Sequence, residues 1–216
     1  MNVVVSGTSS GIGRAIAWRF ARSGHRVYGV DVRGATIGHP RYTHYVCDIR
    51  DELPNDLPAS PEVVINNAGT LEEDDAIAVN LEATMRFSEH FCASPTLRSV
   101  LFIASASARN GAEFSRYVAS KAGIVGYMKY LALQLAKRGV TCNSISPGGV
   151  ITPSNRHILE SEELYAAVKA ETLLGKWAQP DEIADLAYFL TVHNRSITGE
   201  DILVDNGEML KSNFIW

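Results

Sequence analysis

Near its N-terminus the chain contains Val3-Val4-Val5-Ser6-Gly7-Thr8-Ser9-Ser10-Gly11-Ile12-Gly13. The β-branched run has the composition of a buried strand, and apolar residues recur at helical spacing over residues 13–23. Glycines between a strand and a helix let the backbone approach a pyrophosphate at the N-terminus of the helix. The segment therefore predicts a strand, turn and helix that bind the phosphates of a nucleotide.

Outward from this segment, short β-branched runs alternate with helical patterns. This alternation predicts an α/β fold with a doubly wound parallel sheet and helices on both faces. The predicted strands are residues 3–5, 26–30, 42–47, 63–65, 100–104, 140–144 and 202–204. The predicted helices are residues 13–23, 76–91, 115–138, 161–173 and 181–191.

Two segments depart from the alternation. Residues 51–61 contain three prolines and predict a loop where a crossover helix would be usual. Residues 148–180 predict a loop and a helix that cover the substrate. Their apolar residues favour a mainly apolar pocket, although they could equally pack the helix onto the body; these are Ile158, Leu159, Leu164, Leu173, Leu174 and Trp177.

Length and charge limit the classes of protein. The 216 residues, 46% of them hydrophobic, predict a single domain over residues 1–216. With 20 Lys plus Arg against 24 Asp plus Glu and a net charge of -4, the chain has no basic tract for nucleic acid or an anionic membrane surface. We expect neither partner.

The three cysteines, Cys47, Cys92 and Cys142, are far apart and form no Cys-x-x-Cys motif. Neither a zinc site nor a disulfide framework is expected, and no metal. The first residues have no signal-peptide pattern, and no apolar run reaches the roughly 20 residues of a membrane span. These features predict a cytoplasmic protein.

Asp31 ends the second predicted strand, about 20 residues beyond the glycines. A carboxylate there can accept hydrogen bonds from ribose hydroxyls and would repel a 2′-phosphate, which favours NAD over NADP. Arg33 or Arg14 could reverse that preference by pairing with the phosphate.

Tyr117 and Lys121 lie one helical turn apart in Tyr-Val-Ala-Ser-Lys. A phenol has a pKa of about 10, and an ammonium one turn away favours the phenolate. The pair predicts a proton-transfer device with a lowered Tyr117 pKa. Tyr and Lys at this spacing also occur on many solvated helices, so the upstream nucleotide site is what favours a functional role.

These segments together resemble the short-chain dehydrogenase/reductase family over residues 3–207. The residues 6–13 resemble its glycine turn, with Ser6 in place of threonine. Other matches are Asn66-Asn67-Ala68-Gly69, Tyr117-x-x-x-Lys121, Pro147-Gly148 with Thr152-Pro153, and residues 197–207. The resemblance implies a single Rossmann-type domain with a seven-stranded parallel sheet.

The resemblance also implies roles for four residues. Tyr117 would be the general acid and base, and Lys121 would lower its pKa and bind the nicotinamide ribose. Ser105 would bind the substrate oxygen, with Ser107 as the competing serine. Asn80 would lie in a kinked helix and hold a water that leads protons from the lysine, unless it is only a capping or surface residue.

A dinucleotide would contact many residues if the resemblance extends to the cofactor site. The expected set is Gly7, Ser9, Ser10, Gly11, Ile12, Gly13, Asp31, Asp48, Ile49, Asn67, Ala68, Gly69, Tyr117, Lys121, Pro147, Gly148, Val150 and Thr152.

The predicted function is an NAD(H)-dependent oxidoreductase that interconverts a secondary alcohol and a ketone. An NADP(H)-dependent reductase and a nucleotide-binding regulator without turnover are the alternatives. Hydroxysteroid, 3-oxoacyl thioester, sugar alcohol and small ketone substrates remain open. The resemblance implies a homodimer or homotetramer through the Tyr117 helix, the last strand and the helix before it. Tyr127, Tyr130, Leu131 and Leu135 would supply apolar area, although they equally suit an ordinary core face.

Overall fold

Seven parallel strands form one sheet in the order β3-β2-β1-β4-β5-β6-β7. The structure is a computed structural model and describes residues 1–211. The strands are β1 Asn2–Ser6, β2 Arg26–Asp31, β3 Tyr42–Val46, β4 Val63–Asn66, β5 Ser99–Ile103, β6 Thr141–Pro147 and β7 Asp201–Val204. Each predicted strand is present, and the predicted fold class is confirmed.

The strand β1 lies at the centre of the sheet and shows why both faces are buried. Val3 and Val5 pack on one face with the first and last long helices, whereas Val4 packs on the other face. All three side chains are fully buried, as expected for a parallel sheet covered on both sides. From β1 the sheet continues through β2 and β3 on one side and through β4 to β7 on the other side. At this reversal of strand order, a crevice opens at the carboxyl ends of β1 and β4.

Eight α-helices accompany the strands within residues 1–211. Residues 136–138, 153–155 and 208–210 form single 3₁₀ turns, and Phe189–His193 is π-helical. The α-helices are α1 Gly11–Arg22, α2 Glu73–Ala76, α3 Thr84–Cys92, α4 Ser107–Asn110, α5 Ser115–Leu135, α6 Arg156–Leu159, α7 Glu162–Ala170 and α8 Pro180–Tyr188. None of the helices in this part of the chain is both long and apolar enough to cross a bilayer.

The helix predicted over residues 76–91 is interrupted. A π-helical stretch, Ile77–Ala83, joins α2 to α3. The Thr84 hydroxyl donates to the Val79 carbonyl, 3.2 Å away and five residues earlier. Such a bulge widens the helix and redirects the side chains within it. Asn80 lies in this stretch and is buried.

The connection from β3 to β4 contains no helix, as residues 51–61 predict. Ile49 and Leu57 from this connection are buried against the sheet where a crossover helix would pack. The cover is thin at the edge of the sheet, where Val32 and Val46 are 60% and 66% exposed.

The segment 148–180 forms a loop that is closed at its base. Val150 forms an isolated parallel bridge with Ala178. Trp177 packs against Gly149, where a Cβ would overlap the indole ring. By contrast, α7 buries none of its side chains.

The apolar face expected to join subunits lies mostly inside the monomer. Tyr127, Leu131 and Leu135 of α5 are buried under the sheet. Tyr130 is 56% exposed. Three of these four residues therefore belong to the core face of the helix, and helical spacing alone does not say which apolar stripe meets the sheet. The oligomeric state stays a prediction.

Candidate active site

A cleft of about 800 Å³ opens at the carboxyl ends of the strands. One wall is the turn between β1 and α1, and the floor is formed by the ends of β4, β5 and β6. The other wall is the beginning of the segment 148–180. This is the position at which open parallel sheets bind ligands.

Close approach of backbone shapes the glycine turn. A Cβ on Gly13 would overlap the Gly7 carbonyl oxygen and the Asn67 side-chain nitrogen. Gly7 has a φ of +75°, and its amide donates to the Val30 carbonyl at 2.7 Å. The turn is thereby drawn under the first residues of α1, whose leading amide groups have no partner within the helix. Such a cradle fits a pyrophosphate.

The Asn-Asn-Ala-Gly segment is fastened to this turn. The Ser6 hydroxyl accepts hydrogen bonds from the amides of Asn67 and Ala68 at 3.0 and 3.1 Å. Asn66 points the other way, donating to the Leu101 carbonyl and accepting from the Ser88 hydroxyl. Ser6 therefore does with its hydroxyl what a threonine could do there.

Asp31 at the end of β2 is buried, and both of its carboxylate oxygens accept hydrogen bonds. Its two carboxylate oxygens accept from the backbone amides of Ser9 and Arg33, each at 2.9 Å. The Arg33 guanidinium lies 3.5 Å from the same carboxylate and donates to the Ser10 hydroxyl at 2.7 Å. The guanidinium of Arg33 thus partly balances the negative charge of Asp31. The repulsion between Asp31 and a 2′-phosphate is therefore weaker than the sequence predicts.

Another charged group lies further along the cleft. Asp48 pairs with Arg50 at 2.8 Å, and Arg50 also reaches Asp75 of α2 at 3.3 Å. Hydrogen bonding to Arg50 holds the pKa of Asp48 below its usual range. Ile49 is buried beside it and lines the same wall.

Tyr117 lies on the cleft wall near the start of α5. Burial raises its pKa to about 12, and the negative charge of Glu113 adds to this; the hydroxyl of Ser105 opposes it. The pKa of Tyr117 therefore lies above its ordinary value, contrary to the lowering expected from Lys121, because desolvation of the phenolate dominates.

Lys121 is buried below Tyr117. Its ammonium donates to the Ile103 carbonyl at 3.0 Å and lies 5.7 Å from the centre of the Tyr117 ring. Burial lowers its pKa to about 8, and Glu113 opposes the shift. The amine therefore remains mostly protonated at neutral pH.

Asn80 holds the loop that follows β4. Its side chain accepts from the Thr70 amide at 2.7 Å and donates to the Thr70 carbonyl and the Ser120 hydroxyl at 2.9 and 3.1 Å. Because Asn80 is buried and bridges to α5, a capping or surface role does not describe it. Its part in a proton path stays a prediction.

An ion pair fixes the serine loop. Ser105 and Ser107 lie 2.6 Å apart through their hydroxyls. Arg109 of α4 binds the Asp201 carboxylate at 2.8 Å, and that carboxylate also accepts from the hydroxyls of Ser144 and Ser146. The loop that carries the two serines is therefore tied to β6 and β7.

Most of the residues predicted for catalysis or cofactor binding line this cleft. Ser9, Gly13 and Asn80 do not form its wall; they pack directly behind it. The members that the cleft brings together are Gly7, Ser10, Gly11, Ile12, Asp31, Asp48, Ile49, Asn67, Ala68, Gly69, Ser105, Tyr117, Lys121, Pro147, Gly148, Val150 and Thr152.

Sequence patterns missed several polar residues of the cleft. Arg50, Glu113 and Asn155 line it, and none lies in a recognisable motif. The only signal for Glu113 is its place four residues before Tyr117.

The expected apolar pocket is not what the cleft shows. Leu164, Leu173 and Leu174 are 48%, 58% and 68% exposed, and the cleft wall includes none of the apolar residues named for the segment. Pro153, Ser154 and Asn155 line it instead. That prediction was wrong because only the first residues of the segment border the cleft, whereas Trp177 packs against Gly149.

The fold and this cleft define a dinucleotide-binding oxidoreductase: the glycine cradle fits a pyrophosphate, and Ser105, Tyr117 and Lys121 meet on the same cleft wall. In residues 1–211, no group of three or more His, Cys, Asp or Glu side chains could hold a metal ion.

A family model described as enoyl-(acyl carrier protein) reductase matches residues 62–208. D-threitol dehydrogenase of Mycolicibacterium smegmatis is 30% identical, over 96% of this chain and 92% of that protein. L-rhamnose 1-dehydrogenase (NADP(+)) of Thermoplasma acidophilum is 26% identical, over 97% of this chain and 96% of that protein. The structure of a 4-hydroxyisoleucine dehydrogenase mutant complexed with NADH and succinate superposes with a TM-score of 0.84 at 25% identity, covering 99% of this chain and all of that one. The chain belongs to the short-chain dehydrogenase/reductase family.

Proposed function

We propose that the protein interconverts a secondary alcohol and a ketone with NAD(H), with Tyr117 as general acid and base. The position of Tyr117, Ser105 and Lys121 on the wall of the nucleotide cleft carries this proposal. In reduction the phenol gives its proton to the carbonyl oxygen, and in oxidation the phenolate removes the proton of the hydroxyl. A bound nicotinamide supplies or accepts the hydride.

The neighbouring groups support the proton transfer. Because burial raises the pKa of Tyr117 to about 12, the phenol holds its proton at neutral pH in the ligand-free protein. Ser105 would donate a hydrogen bond to the substrate oxygen and stabilise its developing charge. Lys121 would contribute its positive charge, and Asn80 would position the wall through Thr70.

Asp31 supports NAD(H), since its carboxylate lies where ribose hydroxyls are bound and keeps acceptor capacity beyond its two amide partners. NADP(H) is the second candidate. It is favoured by the Arg33 guanidinium, which is 61% exposed and lies beside the Ser10 hydroxyl. One relative is named as NADP(+)-dependent, and one similar structure contains NADH, so the relatives do not decide between the two cofactors.

The setting of the enzyme is also a proposal. Free cysteines at three separate places suit a reducing cytoplasm. Exposed Tyr130 and Leu133 on α5 would support a homodimer or homotetramer, which a mass measurement by light scattering tests.

The test combines cofactor titration with Tyr117→Phe. NADH and NADPH are titrated by nicotinamide fluorescence against wild type, Tyr117→Phe and Arg33→Ala. We expect wild type to bind NADH more tightly than NADPH. Arg33→Ala should weaken the binding of NADPH and leave the binding of NADH unchanged. Turnover of secondary alcohols should fall roughly 10²–10⁴-fold in Tyr117→Phe with cofactor binding retained.

Tyr130→Phe is the matched control, since it makes the same change at an exposed site on the same helix. Equal turnover in Tyr117→Phe and Tyr130→Phe would refute the catalytic role. Cofactor binding without turnover of any alcohol or ketone would favour a nucleotide-binding regulator. Tighter binding of NADPH would replace the NAD(H) assignment with NADP(H).

A further inference from the structure

Glu113 is an acid at the mouth of the active-site cleft. It lies in the link between α4 and α5, four residues before Tyr117, and it lines the cleft. Its backbone has a φ of +92°, a left-handed conformation that residues with a side chain seldom adopt. Such conformations persist where the surrounding structure holds them, and they cluster at functional sites.

Glu113 lines the same cleft as Ser105, Tyr117 and Lys121. Burial raises the pKa of Glu113, while the Ser107 hydroxyl and the positive charge of Lys121 oppose the rise and favour the carboxylate. The Ser107 hydroxyl in turn lies 2.6 Å from that of Ser105. An ionised carboxylate has about four acceptor positions, so the contact with Ser107 leaves capacity for a substrate.

A second carboxylate, that of Glu208, lies next to the cleft wall beside Gly148. An oxygen of Glu208 is 3.1 Å from the position that a Cβ on Gly148 would take, and Gly148 lines the cleft. Burial raises the pKa of Glu208, and the charges of Asp205 and Glu113 add to the effect. Two acids contributed by separate loops therefore lie near this end of the cleft.

The substrate end also contains polar groups. Ser105, Ser154 and Asn155 line it, whereas none of the leucines of the segment 148–180 does. These polar groups favour a substrate that can form hydrogen bonds, and the carboxylates would repel an anionic group.

We propose that Glu113 is a specificity-determining residue that accepts a hydrogen bond from a second hydroxyl of the substrate, next to the reacting carbon. The substrates are then small, neutral, polyhydroxylated alcohols and their ketones. This inference rests on the proposed function. A cationic substrate fits less well, because the Lys121 ammonium interacts with the same carboxylate.

The test compares butane-2,3-diol with butan-2-ol, which lacks the second hydroxyl. Wild type, Glu113→Gln and Glu163→Gln are assayed with the preferred cofactor; Glu163 is an exposed acid of α7, so its variant makes the same charge change outside the cleft. We expect wild type to favour the diol by at least roughly tenfold in kcat/KM, and Glu113→Gln to lower that preference roughly tenfold through KM. Glu163→Gln should leave it unchanged.

Two charged alcohols complete the panel. 3-Hydroxybutyrate should be a poor substrate that improves in Glu113→Gln. Equal kcat/KM for the diol and butan-2-ol, or equal losses on both in Glu113→Gln, would overturn the inference. Preference for 1-aminopropan-2-ol over the diol would assign Glu113 to a cation instead.

A binding measurement distinguishes a failure of this inference from a failure of the proposed function. Diol binding to the complex with reduced cofactor is followed by fluorescence. Failure of the diol to bind where the cofactor does would refute the role of Glu113, whereas failure of both cofactors to bind would refute the proposed function itself.

Discussion

The glycine turn and the segment 148–180 face each other across one cleft, but they are held in different ways. The turn is fastened by the Gly7 amide to β2 and by Asn67 to the Ser6 and Gly7 carbonyls. The segment is joined at its base by the bridge between Val150 and Ala178, and its helix α7 buries none of its side chains fully.

This difference separates a rigid cofactor wall from an adaptable substrate wall. Buried hydrogen bonds and close backbone contacts leave the turn only one arrangement, which suits a ligand whose phosphates do not vary. A segment with few buried contacts opens at low free energy and tolerates changes of sequence. The cofactor site is therefore built into the sheet, whereas substrate selection depends on loops.

The largest effect should come from filling the cradle. Gly13→Ala places a Cβ onto the Gly7 carbonyl and the Asn67 side chain, and neither can withdraw without breaking the turn. We expect a loss of about 3 kcal/mol or more in the free energy of unfolding, measured with urea, and loss of cofactor binding.

Gly126→Ala is the matched control for this prediction. Gly126 lies on an exposed face of α5 with nothing within 4 Å of the added Cβ. Alanine should stabilise that helix by about 0.5–1 kcal/mol. Similar stability changes for the two variants would show that the turn is not the tightly packed wall described above.

A smaller effect should come from the buried lysine between the two walls. Burial lowers the pKa of Lys121 from its usual 10.5 to about 8, so between pH 8 and 10.5 the unfolded chain binds more protons than the folded one. The free energy of unfolding therefore rises as the pH increases from about 8 to 10.5, and below about pH 8 the full cost of burying the ammonium is present. Lys121→Met should raise the free energy of unfolding by about 1–2 kcal/mol at pH 7, while abolishing turnover.

Urea unfolding of ligand-free protein at pH 7 and pH 9.5 checks the sign. The stability gained by Lys121→Met over wild type should shrink at the higher pH. A variant that is less stable than wild type at pH 7 would mean that the hydrogen bond to Ile103 outweighs the cost of burying the ammonium.

The smallest effect should come from the substrate wall. Leu174 is 68% exposed, so Leu174→Ala should change the free energy of unfolding by less than about 0.5 kcal/mol. The same substitution at Leu101, which is buried in β5, should cost about 2–5 kcal/mol. A cost at Leu174 that approaches the cost at Leu101 would contradict the loose attachment of this segment.

Residues with a regular period or a fixed backbone requirement were predictable from sequence. The alternation of β-branched and helical runs identified all seven strands to within a few residues, because burial on both faces demands long apolar runs. Gly7 and Gly13 were predictable because only glycine permits the approach that the turn needs.

Contacts between distant segments were not predictable in this way. The Arg33 pairing with Ser10 and Asp31, and the exposed leucines of residues 164–174, depend on how loops lie on the sheet. Loops lack periodicity, so their side-chain directions follow from packing and not from spacing.

The sequence by itself determined the parallel sheet, the nucleotide turn and the Tyr117–Lys121 pair, because these depend on local spacing within one strand or helix. Only the tertiary structure decided the direction of the Tyr117 pKa shift, the balance of charge around Asp31 and the polar substrate end with Glu113. Desolvation and electrostatic interactions depend on which groups lie nearby in space, and folding brings those groups together from distant parts of the chain.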